Sequence, residues 1–200
     1  MARARLLVAT RNEHKVQEIR SILAGVAVEL ATLKEFPGVP EVVEDGATLE
    51  DNARKKAVET AKASGLWSLA DDTGLEVAAL DGAPGVRSAR YAGEGCSYDD
   101  NNRKLLAALA GVPAAGRGAA FRCVIALASP DGKVRLAQGR LDGRIAEERS
   151  GAGGFGYDPL FFVPEFGRTL ADLTPAQKNA ASHRARALAA ARPMIEELFR

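Results

Sequence analysis

Residues 6–30 constrain the fold more than any other stretch of this chain. Leu6-Leu7-Val8 is a short apolar run of the kind that makes a buried strand. It stops at Thr10, where Thr10-Arg11-Asn12-Glu13 has the pattern of a capping box, a hydroxyl residue followed three positions later by a glutamate. Val16, Ile19, Ile22 and Leu23 then recur at helical spacing, which predicts a helix over 12–24 ended by Gly25. Val26 to Leu30 reads as a second strand. A strand, a turn, a helix and another strand in immediate succession are the opening of an α/β fold.

The rest of the chain continues in that style. Residues 33–46 are a loop rich in Pro, Gly and acidic residues. A second capping box at Thr48-Leu49-Glu50-Asp51 opens a long helix through Ala63, closed by Gly65. Leu66 to Ala70 reads as a short strand running into a turn at Asp71-Asp72-Thr73-Gly74. After a Gly/Pro turn at 82–85, a third helix is expected near 98–110. Segments 121–128 and 134–141 flank Pro130-Asp131-Gly132, a β-hairpin signal. A final helical region starts at Thr174-Pro175-Ala176-Gln177, and Pro193 is expected to kink or split it. There are no repeats and no low-complexity linker, so residues 1–200 are read as one mixed α/β domain.

Composition excludes several classes. Hydrophobic residues at 46% and charged ones at 26% are those of an ordinary globular protein. A formal net charge of +1 argues against a dedicated nucleic-acid partner, so any polyanion must meet a local cluster of positive groups. Cys96 and Cys123 are the only cysteines and do not form a CxxC pair, which fits a reducing compartment. The apolar run Leu6 to Ala9 is too short for the roughly 7–15 residues of a signal-peptide core, and no stretch approaches the roughly 18 apolar residues of a membrane span. The expectation is a cytoplasmic protein with no membrane contact.

Four segments are candidates for chemistry. Thr10 to Lys15 follows a strand and opens a helix, where backbone N–H groups and the helix dipole favour an anion and Lys15 adds a full charge; the plain alternative is a capped turn with a surface lysine. Asp71-Asp72 places two carboxylates side by side, a repulsion that a divalent cation offsets, although a solvated turn needs no ion. Glu41, Glu44 and Asp45 are a second acidic group from which a further ligand is expected. Gly151, Gly153 and Gly156 match GxGxxG, yet Pro159 and the run Leu160 to Val163 point to a strand where the dinucleotide fingerprint needs a helix. What remains is a glycine loop delivering Phe155, Tyr157 and Asp158, able to stack on a base and accept a hydrogen bond from it, or else a hairpin whose aromatics are core. At about 100° per residue, Lys178, Ser182 and, less closely, His183 project from neighbouring parts of one helical face, with Arg184 next in sequence; the plain alternative is a solvated basic helix face.

Taken together and in order, LLVATRNEHKVQEI, TLEDNARKKA, LADDTGLEV, APGVRSARYAG, NNRKLL, GGFGYDPLFF and QKNAASHRARAL resemble one family, the inosine triphosphate pyrophosphatases, also called dITP/XTP pyrophosphatases. The resemblance covers residues 6 to about 188. It implies an elongated two-lobed α/β fold with a mixed sheet, helices on both sides and a cleft between lobes, and a homodimer. It also implies roles. Thr10, Arg11, Asn12, Glu13, His14 and Lys15 would bind the triphosphate of a small-molecule purine nucleotide, with Lys56 as a second basic contact. Glu44 and Asp72 would hold Mg²⁺, with Asp72 the proton acceptor and Thr73 touching the substrate beside it. Phe155, Gly156, Tyr157, Asp158, Lys178, His183 and Arg184 would enclose the nucleoside. Thr73 stands where many members have Ser, which keeps the hydroxyl. Two other readings are less well supported: a pyrophosphatase of the related Maf-like type, disfavoured by the SHR and FGYD segments, and a nucleotide sensor that does not hydrolyse, disfavoured because Lys15, Glu44 and Asp72 are all present.

Overall fold

The computed structural model describes residues 4–200; Met1, Ala2 and Arg3, part of the basic N-terminal run, lie outside the described residues. Strand β1 (Arg5–Val8) leads to α1 (Glu13–Ile22) and returns in β2 (Glu29–Thr32). β1 pairs parallel with β2, Leu6 opposite Leu30, and parallel with β3 (Trp67–Val77), Leu6 opposite Trp67. Helix α2 (Leu49–Ser64) makes the connection to β3. β4 (Pro84–Gly85) pairs antiparallel with β3, and α3 (Tyr98–Ala108) precedes the long hairpin of β5 (Gly118–Ala128) and β6 (Val134–Ile145). β7 (Phe161–Val163) follows, antiparallel to β6, then β8 (Arg168–Thr169), antiparallel to β7, and α4 (Pro175–Ala181) and α5 (His183–Leu198) close the chain. The hydrogen-bonded order is β2-β1-β3-β5-β6-β7-β8, a mixed sheet. Among the described residues no helix is long and apolar enough to cross a membrane.

Two compact units share the chain. The first comprises residues through Asp72, Cys123–Gly139 and Arg184–Arg200. Its core is built by Leu6, Val8 and Leu69 of the strands, Val16 and Ile19 of α1, Ile125 and Leu127 of β5, and Leu188 and Ile195 of α5. The second comprises Thr73–Arg122 and Arg140–His183, with Leu75, Leu105, Leu109, Phe121, Leu141, Tyr157 and Phe161 in its core. Each core forms because strands alternate apolar positions and helices present them at i, i+3 and i+4.

Four local expectations need correction. The N-cap of α1 is Asn12, not Thr10: the Asn12 side chain accepts from the N–H groups of His14 and Lys15, and Thr10 Oγ1 instead accepts from Asn12 N–H at 3.2 Å. The second strand begins at Glu29, three residues later than its apolar run. Asp71 to Gly74 are not a turn; they lie inside the eleven-residue β3, because basic side chains rather than water neutralise the two aspartates. The C-terminal helical region breaks at Ser182, whose extended backbone (ψ 160°) ends α4, whereas α5 runs through Pro193. Lys178 and His183 therefore do not share one continuous helix face.

Candidate active site

The first unit gathers charge around β3. Lys56 sits on α2, one of the helix's buried positions, and its ammonium donates to Glu44 Oε1 at 3.0 Å, to Asp72 Oδ1 at 2.8 Å and to the Asp71 carbonyl at 2.8 Å. Loop 44–46 is held against this helix at two further points: Lys55 pairs with Asp45 at 2.6 Å, and Gly46 N–H donates to the buried Asn52 side chain at 2.8 Å. Lys15, in the first turns of α1, pairs with Asp71. The other Asp71 oxygen accepts from Arg184 Nε at 3.0 Å and from the Cys123 thiol at 3.2 Å. Arg184, 1% exposed, also donates to Glu18 at 2.5 Å.

These neighbours divide the two aspartates. Burial pushes Asp71 up, but the charges of Arg184, Lys15 and Lys56 outweigh it and hold the carboxyl well below its usual range. For Asp72 burial dominates: its carboxyl is raised, with Lys56 and Lys15 only partly compensating and Glu44 adding to the rise. Burial lowers Lys56, yet Asp72, Glu44 and Asp71 more than offset it and keep the ammonium charged. Among the seven linked side chains, Glu18, Glu44, Asp71 and Asp72 face Lys15, Lys56 and Arg184, which leaves one negative charge in excess when all are ionised.

Other predicted positions surround the turn before α1 without entering this network. Arg11 donates to the Val39 carbonyl at 3.2 Å, Glu13 pairs with Lys34 at 2.9 Å, and His14 is exposed. Thr73, half-buried, begins the second unit immediately after Asp72.

In the second unit, the glycine loop builds a separate cluster. Asp158 is buried and accepts from Phe155 N–H at 2.8 Å and from the Lys178 ammonium at 2.6 Å. Lys178 Nζ also lies 4.7 Å from the centroid of the Phe155 ring, a cation–π distance. A methyl on Gly154 (φ +69°) would collide with the Asp158 carboxylate, so this glycine is required by close approach as well as by its backbone. Tyr157 turns inward: its hydroxyl donates to the Ser88 carbonyl at 2.9 Å and its ring belongs to the core. His183 is buried and stacks on Phe121 with centroids 4.5 Å apart. His183 and Arg184, the first two residues of α5, fall in different units: His183 belongs to the second and Arg184 to the first.

The structure therefore brings together Lys15, Glu44, Lys56, Asp72 and Arg184 in one unit, and Phe155, Asp158 and Lys178 in the other. Sequence reasoning missed Asp71 as the hub between Lys15 and Arg184, and missed Glu18. The latter had a signal, since it stands three residues after Lys15 on one helix face.

Comparison with known proteins fits this construction. The model of the Ham1 family matches residues 6–194. The chain belongs to the Ham1 family. A dITP/XTP pyrophosphatase of Geobacter sulfurreducens is 57% identical over 185 residues, which cover 92% of this chain and 93% of that protein. One from Desulforamulus reducens is 50% identical over 195 residues, covering 98% and 97%. Among solved structures, a HAM1 protein from Coxiella burnetii superposes with a TM-score of 0.88 at 40% identity, covering 97% of this chain and 99% of that one. The fold of this Ham1 chain and its family resemblance thus agree along nearly the whole sequence.

Proposed function

We propose that this chain hydrolyses aberrant purine nucleoside triphosphates, those of inosine, deoxyinosine and xanthosine, at the α–β phosphoanhydride to give nucleoside monophosphate and pyrophosphate, with Mg²⁺ as cofactor. The observation that carries the reading is the convergence of Glu44 and Asp72, distant in sequence, on a single cationic point at Lys56 Nζ. The names of the relatives give the substrate class.

The residues fit the metal. Two hard carboxylate oxygen donors meet in a cluster that carries excess negative charge. Mg²⁺ suits such a set, since it is usually held by one or two carboxylates with water and substrate phosphates completing its shell. Glu44 and Asp72 would hold it, and when bound it supplies neutralisation of the phosphate charge.

The chain's own groups do the rest. Each lysine ammonium has three N–H donors: Lys56 commits its three to Glu44, Asp72 and the Asp71 carbonyl and contributes positive charge beside the phosphates, while Lys15, paired with Asp71, also offers N–H donors to phosphate oxygens. Asp72, in its ionised form, takes a proton from the attacking water. The water oxygen bonds to the α-phosphorus, the bond to the bridging oxygen breaks, and pyrophosphate leaves. Asp71, held ionised, fixes Lys15. Base choice belongs to the second unit. Phe155 offers a stacking face, and the Lys178 ammonium suits the 6-keto oxygen of hypoxanthine or xanthine; the amino group of adenine would meet it donor to donor, a mismatch of roughly 1–3 kcal/mol. A homodimer in the cytoplasm completes the proposal.

A panel of ITP, dITP, XTP, GTP, ATP and CTP, assayed separately for pyrophosphate and orthophosphate with and without Mg²⁺, tests it. The expected result is pyrophosphate release, fastest from ITP, dITP or XTP and abolished by a chelator. Orthophosphate as the sole product, or equal rates with ATP, rejects the proposal.

A further inference from the structure

The NNRKLL segment has no role in the reading above, yet it opens with two fully buried asparagines on α3. Asn101 is satisfied at both ends of its amide: Ala92 N–H donates to its Oδ1 at 2.7 Å and its Nδ2 donates to the Ala89 carbonyl at 3.1 Å. Asn102 differs. It is 1% exposed, its Nδ2 donates to the Gly156 carbonyl at 2.9 Å, and its Oδ1 is buried with no partner among the described residues. A buried acceptor without a partner destabilises a fold, and a leucine, like Leu105 on the same helix, would pack at such a position without that cost. The one thing the asparagine supplies is its bond to Gly156.

Gly156 lies in the left-handed region (φ +63°), where a glycine has no side chain to limit its peptide orientation. An external anchor on its carbonyl therefore sets the direction of the loop. Tyr98 stands four residues before Asn102, on the same helix face, and its ring centroid is 6.0 Å from that of Phe155. Arg149, before the loop, pairs with Asp99 of the same first turn. Successive loop residues, Phe155 and Gly156, are thus touched from one face of α3, while Asp158 fixes the loop internally through Phe155 N–H.

We propose that Asn102, supported by Tyr98, is a positioning residue for purine binding: it sets the Gly156 peptide and through it the presentation of Phe155. This rests on the reading of Phe155 to Asp158 as the base site. The test uses the full chain with ITP as substrate and inosine monophosphate as equilibrium ligand. Asn102→Leu is expected to raise KM and the Kd for inosine monophosphate about tenfold, the worth of one well-placed hydrogen bond, with kcat and the Mg²⁺ requirement within about twofold. A merely structural role would lower Tm and leave KM and Kd where they were. That result, or a loss confined to kcat, overturns the proposal. Should Asn102→Leu not fold, Tyr98→Ala at a 43% exposed position carries the test: a several-fold rise in the same two constants supports the proposal and unchanged constants overturn it. Wild-type protein that neither hydrolyses ITP nor binds the monophosphate rejects the base-site reading as well, whereas normal wild-type binding with unchanged variants rejects the role of Asn102 alone.

Discussion

Asp71 and Asp72 are neighbours in β3, and strand alternation turns successive side chains to opposite faces. One meets Lys15 and Arg184; the other meets Lys56 beside Glu44. The result is one carboxylate held firmly ionised and one raised by burial, so the two neighbours differ although they share a strand. Asp72→Asn should keep the fold and lower kcat by about 10²–10⁴, the usual contribution of a positioned base; kcat within tenfold of wild type contradicts the assignment. Arg184→Ala should behave differently. Removing one partner of a buried pair leaves the others uncompensated, so a stability loss of about 3–5 kcal/mol is expected in urea denaturation, and a loss below about 1 kcal/mol would show that Asp71 and Glu18 do not depend on it. Sequence reasoning identified the types and order of these residues, but a strand that buries two adjacent aspartates looks like a turn until the lysines and arginine that neutralise them are placed, and those come from positions 15, 56 and 184. That pairing is long-range and leaves no local pattern.

At the scale of elements, capping explains what was legible and what was not. Thr48 accepts from Asp51 N–H and Gly65 closes α2 at φ +70°, both as the residue pattern indicates. At α1, two overlapping candidates compete, and Asn12 wins because its side chain reaches two N–H groups. The break at Ser182 carries no glycine or proline, and its one local signal is a serine, a residue that suits the position before a helix; Pro193, expected to kink or split the region, does not split α5. Helix α3 is fixed at its start by a reciprocal Ser97–Asp100 box. Hydrogen bonds from the Ser97 side chain and backbone, with help from Arg103, hold Asp100 down to about 2. Since this folded value lies below the roughly 3.9 of a free aspartate, its contribution is full above about pH 5 and is lost as pH falls through about 2. The Tm gap between wild type and Asp100→Ala should accordingly stay constant above pH 5 and narrow steadily in acid; a pH-independent gap would falsify the capping account.

For the molecule as a whole, a net charge of +1 conceals strong local order: carboxylates and cations are sorted into one cluster in the first unit and an aromatic, lysine and carboxylate set in the second. The mixed α/β class followed from alternating periodicities of the elements, and the Ham1 family assignment from their collinear motifs. Two lobes are implied by the resemblance, but their boundaries have no local signal, because they fall inside β3, β5, β6 and the start of α5 rather than in linkers with a distinct composition. In the proposed reaction, water activated at Asp72 attacks the α-phosphorus of a purine triphosphate. Hydrolysis of ITP in ¹⁸O-labelled water with Mg²⁺, followed by mass analysis of both products, reads this directly. The label should appear in inosine monophosphate with the pyrophosphate unlabelled; label in the pyrophosphate, or in released orthophosphate, would contradict it.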